Sequence, residues 1–208
     1  NIDGNNASSQ WTNAASSTLN YGGAADVFAT NGILDATANG NTINYNRAGN
    51  QTINRTSSSG QYYNLTLSGS GTKTLDQSIA VKGNWVNNTT FSANGNRSVV
   101  LNGASSQTIS GTSSPIPFYN LEIDNSTAGN AIVLSTPVSV SNVLTLTDGH
   151  IVTTSTNILS MGSGGSVTLN CTPQDSSFIK GPMKHTVNVS TSTTKTYPVG
   201  KADSYRRV

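Results

Sequence analysis

Apolar residues alternate with Ser, Thr and Asn in short runs along nearly the whole chain. Ile43-x-Tyr45, Tyr63-x-Leu65-x-Leu67, Ile79-x-Val81, Val99-x-Leu101, Leu121-x-Ile123 and Ile132-x-Leu134 show the pattern. Val138-x-Val140, Leu144-x-Leu146, Leu159-x-Met161, Val167-x-Leu169 and Val187-x-Val189 continue it. A period of two puts the apolar side chains on one face and the polar ones on the other, which predicts strands with one dry and one wet face. Gly-rich and Asn-rich clusters such as Asn39-Gly40-Asn41, Asn94-Gly95-Asn96 and Asn102-Gly103 punctuate the runs. These residues tolerate the positive φ that sharp turns need. No dozen-residue stretch carries apolar positions at i, i+3, i+4 and i+7, so no helix is predicted.

The runs also recur. Gln51-Thr52-Ile53 returns as Gln107-Thr108-Ile109, and Tyr63-Asn64-Leu65 as Tyr119-Asn120-Leu121, both 56 residues on. Further along the offset is 59, with Leu75 meeting Leu134, Ile79 meeting Val138 and Val81 meeting Val140. Within each unit, Tyr63, Val81, Val100, Tyr119, Val138 and Ile158 step by 18 to 20 residues. Such a step suits one rung of a solenoid, in which no rung can bury its apolar stripe alone and stacking buries them all. The fold expected is therefore all-β, a repetitive parallel β-helix or β-solenoid-like stack. Tandem β-sandwich modules would read similarly and remain the alternative. Residues 1–40 read as the tail of a preceding repeat or an N-terminal cap. Residues 41–96 form one repeat unit, and 97–170 a second with further rungs. Residues 171–208, where prolines and lysines gather, read as the start of a distinct C-terminal β module, cut off before it closes.

Composition narrows the function. The 208 residues include 30 Ser, 28 Thr, 26 Asn and 20 Gly, while charged residues make up only 10% and the formal net charge is +2. Eleven scattered cations do not make the basic face that nucleic acid requires. No apolar run approaches the length of a membrane span. The single cysteine, Cys171, excludes an intrachain disulfide and reads as a small buried hydrophobe. The chain starts without Met or a signal-like segment and reads as an internal piece of a longer secreted polypeptide.

Candidate chemistry is thin. His150 and His185 lack a second ligand at metal spacing, so no metal or cofactor is expected. Glu122-x-Asp124 places two acids on one strand face, whereas glycosidase carboxylates flank a cleft from separate elements. Lys73 and Lys82 flank Asp76 in sequence, a weak echo of the acid and base clusters on catalytic β-helices, and no catalytic residue is assigned. Thr145-x-Thr147 is too isolated for a regular ice-binding array, and the several N-x-S/T sequons, Asn64 and Asn125 among them, follow from composition. Of the aromatics, Trp85, Tyr63 and Tyr119 fall on the apolar phase. Tyr62 and Phe118 fall on the opposite phase and are the expected surface ligand contacts.

The C-terminal phrase Phe178-Ile179-Lys180-Gly181-Pro182-Met183-Lys184-His185-Thr186-Val187, followed by Thr196-Tyr197-Pro198-Val199-Gly200 and Tyr205-Arg206, resembles a module of very large secreted surface proteins of the Bacteroidota. Gly83 to Asn88, Gln107 to Gly111 and Phe118 to Leu121 are similar to its upstream repeats. Arg207 departs from the proline that usually follows the Tyr-Arg pair. The resemblance implies export by the type IX secretion machinery and display outside the cell as an adhesin, including gliding adhesins. The expected function is a non-catalytic structural repeat of a cell-surface adhesin or extracellular filament. The alternatives are a carbohydrate-binding or polysaccharide-degrading β-helix and a self-assembling fibre subunit. Expected partners are cell-surface or polysaccharide ligands and other copies of the chain.

Overall fold

The computed structural model describes residues 8–24, 32–53, 60–173, 176–188, 190, 194–201 and 204–207. These residues form a β-solenoid of about eight turns, all-β and without an α-helix. Each full turn contributes strands to three parallel ladders, called here faces 1, 2 and 3 in the order the chain visits them. Face 1 carries Thr18–Tyr21, Thr42–Tyr45, Asn64–Leu67, Trp85–Asn87, Gln107–Ser110, Ile132–Leu134, Ile151–Val152, Ile179–Lys180 and Pro198–Lys201. Face 2 carries Gln51–Ile53, Thr72–Leu75 and Thr90–Ser92, then residues 116–118 and 138–140, Leu159–Met161 and Met183–His185. Face 3 runs from Gln10–Thr12 and Ile33–Asp35 through Gln61–Tyr62, Ile79–Val81 and Ser98–Leu101 to residues 120–123 and 143–146 and finally Ser166–Leu169.

The long strands Ile116–Asp124 and Val138–Asp148 each cross a corner, where the register breaks between Phe118 and Asn120 and so divides face 2 from face 3. Partners on face 1 lie 19 residues apart between Ile132 and Ile151 but 28 apart between Ile151 and Ile179. The turn is therefore longer and less regular than the step of 18 to 20 expected from sequence. The ladders absorb this because corners, not strands, change length. They also run past residue 171, since Ile179–Lys180 pairs with Ile151–Val152 and then with Val199–Gly200. What differs at this end is Ser204–Arg207, which pairs antiparallel with Pro198–Lys201.

The core is one continuous column. Ile43, Leu65, Val81, Val99, Leu101, Ile123, Leu144, Leu146, Ile151 and Leu159 are fully buried within it. Each such side chain contributes ~1.5–3 kcal/mol relative to exposure. Aromatic rings thicken it in two places. Tyr45 lies edge-on to Tyr21 and Tyr62 at centroid distances of 6.1 and 6.4 Å. Trp85, Phe91 and Phe118 form a second cluster at 5.1 to 5.9 Å. Nearly all of the alternating apolar positions point inward. Val167 and Leu169 pack only partly against the core, while Tyr63 is half-exposed and Val187 is 52% exposed. Val189 lies outside the described residues.

The wall has one seam. Thr90–Ser92 pairs with Thr72–Leu75, yet no ladder joins it to residues 116–118 of the next turn. Ile116 donates its N–H to Pro137 O at 2.9 Å, towards the following turn. Alternation would aim the next N–H back at the preceding turn, but that residue is Pro117, which has none. A cavity of about 210 Å³ opens there, lined by Phe91, Asn94, Pro117, Phe118 and Tyr119 among others.

Candidate functional site

The two expected surface contacts are not on the surface. Tyr62 is fully buried, and its hydroxyl shares a hydrogen bond of 2.8 Å with the Tyr45 hydroxyl. Phe118 is 2% exposed and packs against Trp85 and Phe91. Both lie at the end of one face, immediately before a corner. Two outward residues follow each of them, Tyr63-Asn64 and Tyr119-Asn120, before the next inward residue, Leu65 or Leu121. The corner consumes one extra residue, so the alternation inverts across it. Extending the phase backwards from Leu65 or Leu121 therefore exchanges inside and outside. The half-exposed aromatics are Tyr63 and Tyr119, and Trp11 is 42% exposed.

The other candidates stay apart from one another. Glu122 faces out on face 3 and accepts a hydrogen bond of 3.0 Å from the Thr147 hydroxyl. His150 is buried with its ring 4.0 Å from that of Phe178. Cys171 is buried and lies 3.6 Å from Ser177 O, which fits a packed thiol. Among the described residues no three His, Cys, Asp or Glu side chains converge as a metal site would need. The sequon residue Asn125 is fully buried, so its amide is inaccessible. No described helix is long and apolar enough to cross a membrane.

The polar groups that the alternation pattern hid are inward-facing clamps at the corners. Gln51, Lys73 and Gln107 each occupy the apolar phase of a strand, two residues before Ile53, Leu75 and Ile109. Gln51 Nε2 donates to Tyr21 O and Gly23 O at 2.7 and 2.8 Å, while its Oε1 accepts the Arg47 N–H at 3.2 Å. Gln107 repeats the arrangement with Val81 O and Gly83 O below it, and accepts from the Gly103 N–H at 2.9 Å and Asn125 Nδ2 at 2.8 Å. Lys73 directs its ammonium to Arg47 O, Gly49 O and Ser70 O at 2.8, 3.0 and 2.8 Å. Burial, and then the Arg47 charge, hold Lys73 below the ordinary lysine value. These side chains satisfy corner carbonyls that would otherwise be buried unpaired. The recurrence of Gln51 at Gln107 was the sequence signal for them. Lys73, which could have joined a charged cluster with Asp76 and Lys82, points into the core instead.

A cavity of about 400 Å³ near the C-terminal end is bordered by Gly164 to Val167, His185 and Thr194 to Thr196. Lys195 Nζ is held there by Ser163 O and Gly165 O at 2.8 and 3.2 Å. His185 is 8% exposed, pairs Nε2 with Thr196 O at 3.2 Å and meets the Tyr197 ring edge-on. Burial pushes its pKa below the ordinary histidine value. The Thr196 hydrogen bond opposes that shift, and the Lys195 charge reinforces it. Comparison with family models, curated proteins and solved structures gives no match for the chain.

Proposed function

We propose that this solenoid is a non-catalytic structural repeat of a secreted cell-surface adhesin or extracellular filament, exported through the type IX machinery. Its work is to hold shape. One observation carries the reading. From Thr18 to Val152, every outward strand position of face 1 is Thr, Asn, Ser or Val, with no charge before Lys180. The outer amides and hydroxyls bond to one another from turn to turn. Asn44 Nδ2 donates to Asn20 Oδ1 and Ser68 Oγ to Asn44 Oδ1, both at 2.8 Å. Asn84 accepts from the Thr108 N–H at 2.9 Å and donates its own N–H to Asn64 Oδ1 at 2.8 Å. Their polar capacity is thus spent within the wall.

Eight turns at ~4.8 Å per strand spacing make a rod only ~40 Å long. The molecule trades reach for width and stiffness, which suits a unit repeated many times in a long polypeptide. A polysaccharide-binding reading loses its principal support, because Tyr62 and Phe118 belong to the core.

The test replaces this segment in its parent polypeptide with an unrelated neutral solenoid of equal turn number. Surface display and adhesion should both persist. Display retained with adhesion lost would show that this segment itself holds the ligand. Release of sugar from any polysaccharide by the isolated segment would end the proposal.

A further inference from the structure

The described residues contain three Asn-Gly pairs, and their surroundings differ sharply. At Asn102-Gly103 the Gly103 N–H donates to the buried Gln107 amide oxygen at 2.9 Å. A Cβ on Gly103 would stand 2.4 Å from Lys82 O, so backbone packs tightly around it. At Asn39-Gly40 the backbone is tied to the neighbouring turn. Asn39 O accepts the Ser16 N–H at 2.9 Å, and the Gly40 Cα faces Ser16 at close range. Asn94-Gly95 has none of this. Both residues and Asn96 are exposed, and a Cβ built on Gly95 would meet nothing within 4 Å. Asn94 and Gly95 have φ of 47° and 82°, a pair of left-handed residues forming the tip of a tight turn. Among the described residues no hydrogen bond engages the Gly95 N–H or the Asn94 side-chain amide. The turn is held at its base by Asn94 N–H to Ser92 Oγ at 3.2 Å and Arg97 N–H to Ala93 O at 3.3 Å.

We propose that Asn94 is a site of spontaneous backbone modification, an ageing site built into the wall of the solenoid. The Gly95 backbone nitrogen attacks Asn94 Cγ. A Cγ–N bond forms, the Cγ–Nδ2 bond breaks, and Nδ2 leaves as ammonia carrying the proton that the Gly95 nitrogen gives up. The product is a five-membered succinimide. Water, the only co-reactant, then adds to one of its two carbonyls. Opening at one regenerates the ordinary backbone with an aspartate side chain, and opening at the other routes the backbone through the former side chain as isoaspartate. No electrons are exchanged. Glycine favours the attack because it has no Cβ to keep the nitrogen from the amide carbon. Gln107 protects Asn102, because its oxygen holds the nucleophile and the corner cannot turn without breaking that clamp.

The position gives the reaction structural weight. The turn joins Thr90–Ser92 of face 2 to Ser98–Leu101 of face 3, beside the seam at Pro117 and its cavity. Modification places a carboxylate on a nearly uncharged wall. In the isoaspartate form it also lengthens the turn by one backbone atom, where no ladder joins the strands on either side of the seam. The inference is independent of the adhesin reading.

The whole chain is incubated at mildly alkaline pH and mapped over time by peptide mass spectrometry able to distinguish isoaspartate. Asn94 should react first and several-fold faster than Asn39, with Asn102 unmodified while the fold persists. In concentrated urea the three pairs should converge on similar rates. Gly95→Ala should lose the product at 94 and leave the other pairs unchanged; Asn94→Gln gives the same loss without a Cβ at Gly95. Native-state modification of Asn102 or Asn39 as fast as Asn94 would overturn the proposal. So would a native ranking that urea leaves unaltered.

Discussion

Two corners of the solenoid solve the same problem with different chemistry. At one, Gln107 reaches back to the carbonyls of Val81 and Gly83; at the other, Lys73 reaches back to those of Arg47 and Gly49. Both pairs lie 26 and 24 residues upstream of the clamp. The amide donates and accepts, so it also secures the Gly103 N–H and receives Asn125 from the following corner. It therefore links three turns. The ammonium only donates. It gathers a third carbonyl, Ser70 O, and links two turns while carrying a charge into the core beside Arg47. A neutral amide is thus the richer fastener, and the lysine is a serviceable but charged substitute.

The largest effect should follow Gln107→Ala. It leaves a buried N–H, two carbonyls and the Asn125 amide without their partner, at ~1–3 kcal/mol for each group that water cannot reach. A total loss of ~3–5 kcal/mol is expected from the urea unfolding midpoint. A loss below ~1 kcal/mol would show that the corner relaxes around the gap. Lys73→Met should cost less, ~1–3 kcal/mol, because it strands carbonyls but removes the charge along with them. If it proved more damaging than Gln107→Ala, the ranking of the two fasteners would be reversed.

Lys73→Gln sharpens the comparison further. It should stay within ~1 kcal/mol of the parent, since Gln107 spans the same carbonyl spacing. It should also remove a pH dependence. With Lys73 held below 10.5 in the folded chain, the unfolded chain binds the proton more tightly. Between the lowered value and 10.5 the parent therefore gains stability relative to Lys73→Gln as pH rises. Parallel denaturation curves from neutral pH upward measure this difference, and a falling difference would contradict the buried charge.

The smallest effect concerns His185, at the far end of the rod. Its lowered pKa means that the unfolded chain takes up the proton first as pH drops below 6.5. Stability should decline through that window until the folded-state value is passed. His185→Gln should flatten the decline, as read from melting temperatures across mildly acidic buffers.

Much of the fold could be read from the alternation itself, because a half-buried strand must repeat every two residues. Ile79, Val81, Val99, Leu101, Leu144 and Leu146 lie where that rule places them. Corners escaped it. A corner changes direction by spending residues that belong to neither face, so the phase on one side says nothing about the other. Tyr62 and Phe118 were misassigned for that reason alone. The clamps were illegible for a second reason. Gln and Lys on an apolar phase violate the pattern locally, and only the carbonyls of the preceding turn explain them. The irregular turn length, 19 to 28 residues on face 1, lies in corner insertions that leave no periodic trace.

The 56-residue recurrence has a consequence of its own. Thr42–Tyr45 lies on face 1, but its counterpart Ser98–Leu101 lies on face 3. Gln51–Ile53 lies on face 2, and its counterpart Gln107–Ser110 on face 1. The duplicated unit therefore spans two and two-thirds revolutions, and each copy sits rotated by one side of the prism. Like never rests on like, just as a mason staggers joints between courses. A strand that slipped towards its twin would arrive at the wrong wall, so the duplication that built the rod also keeps its courses from being confused.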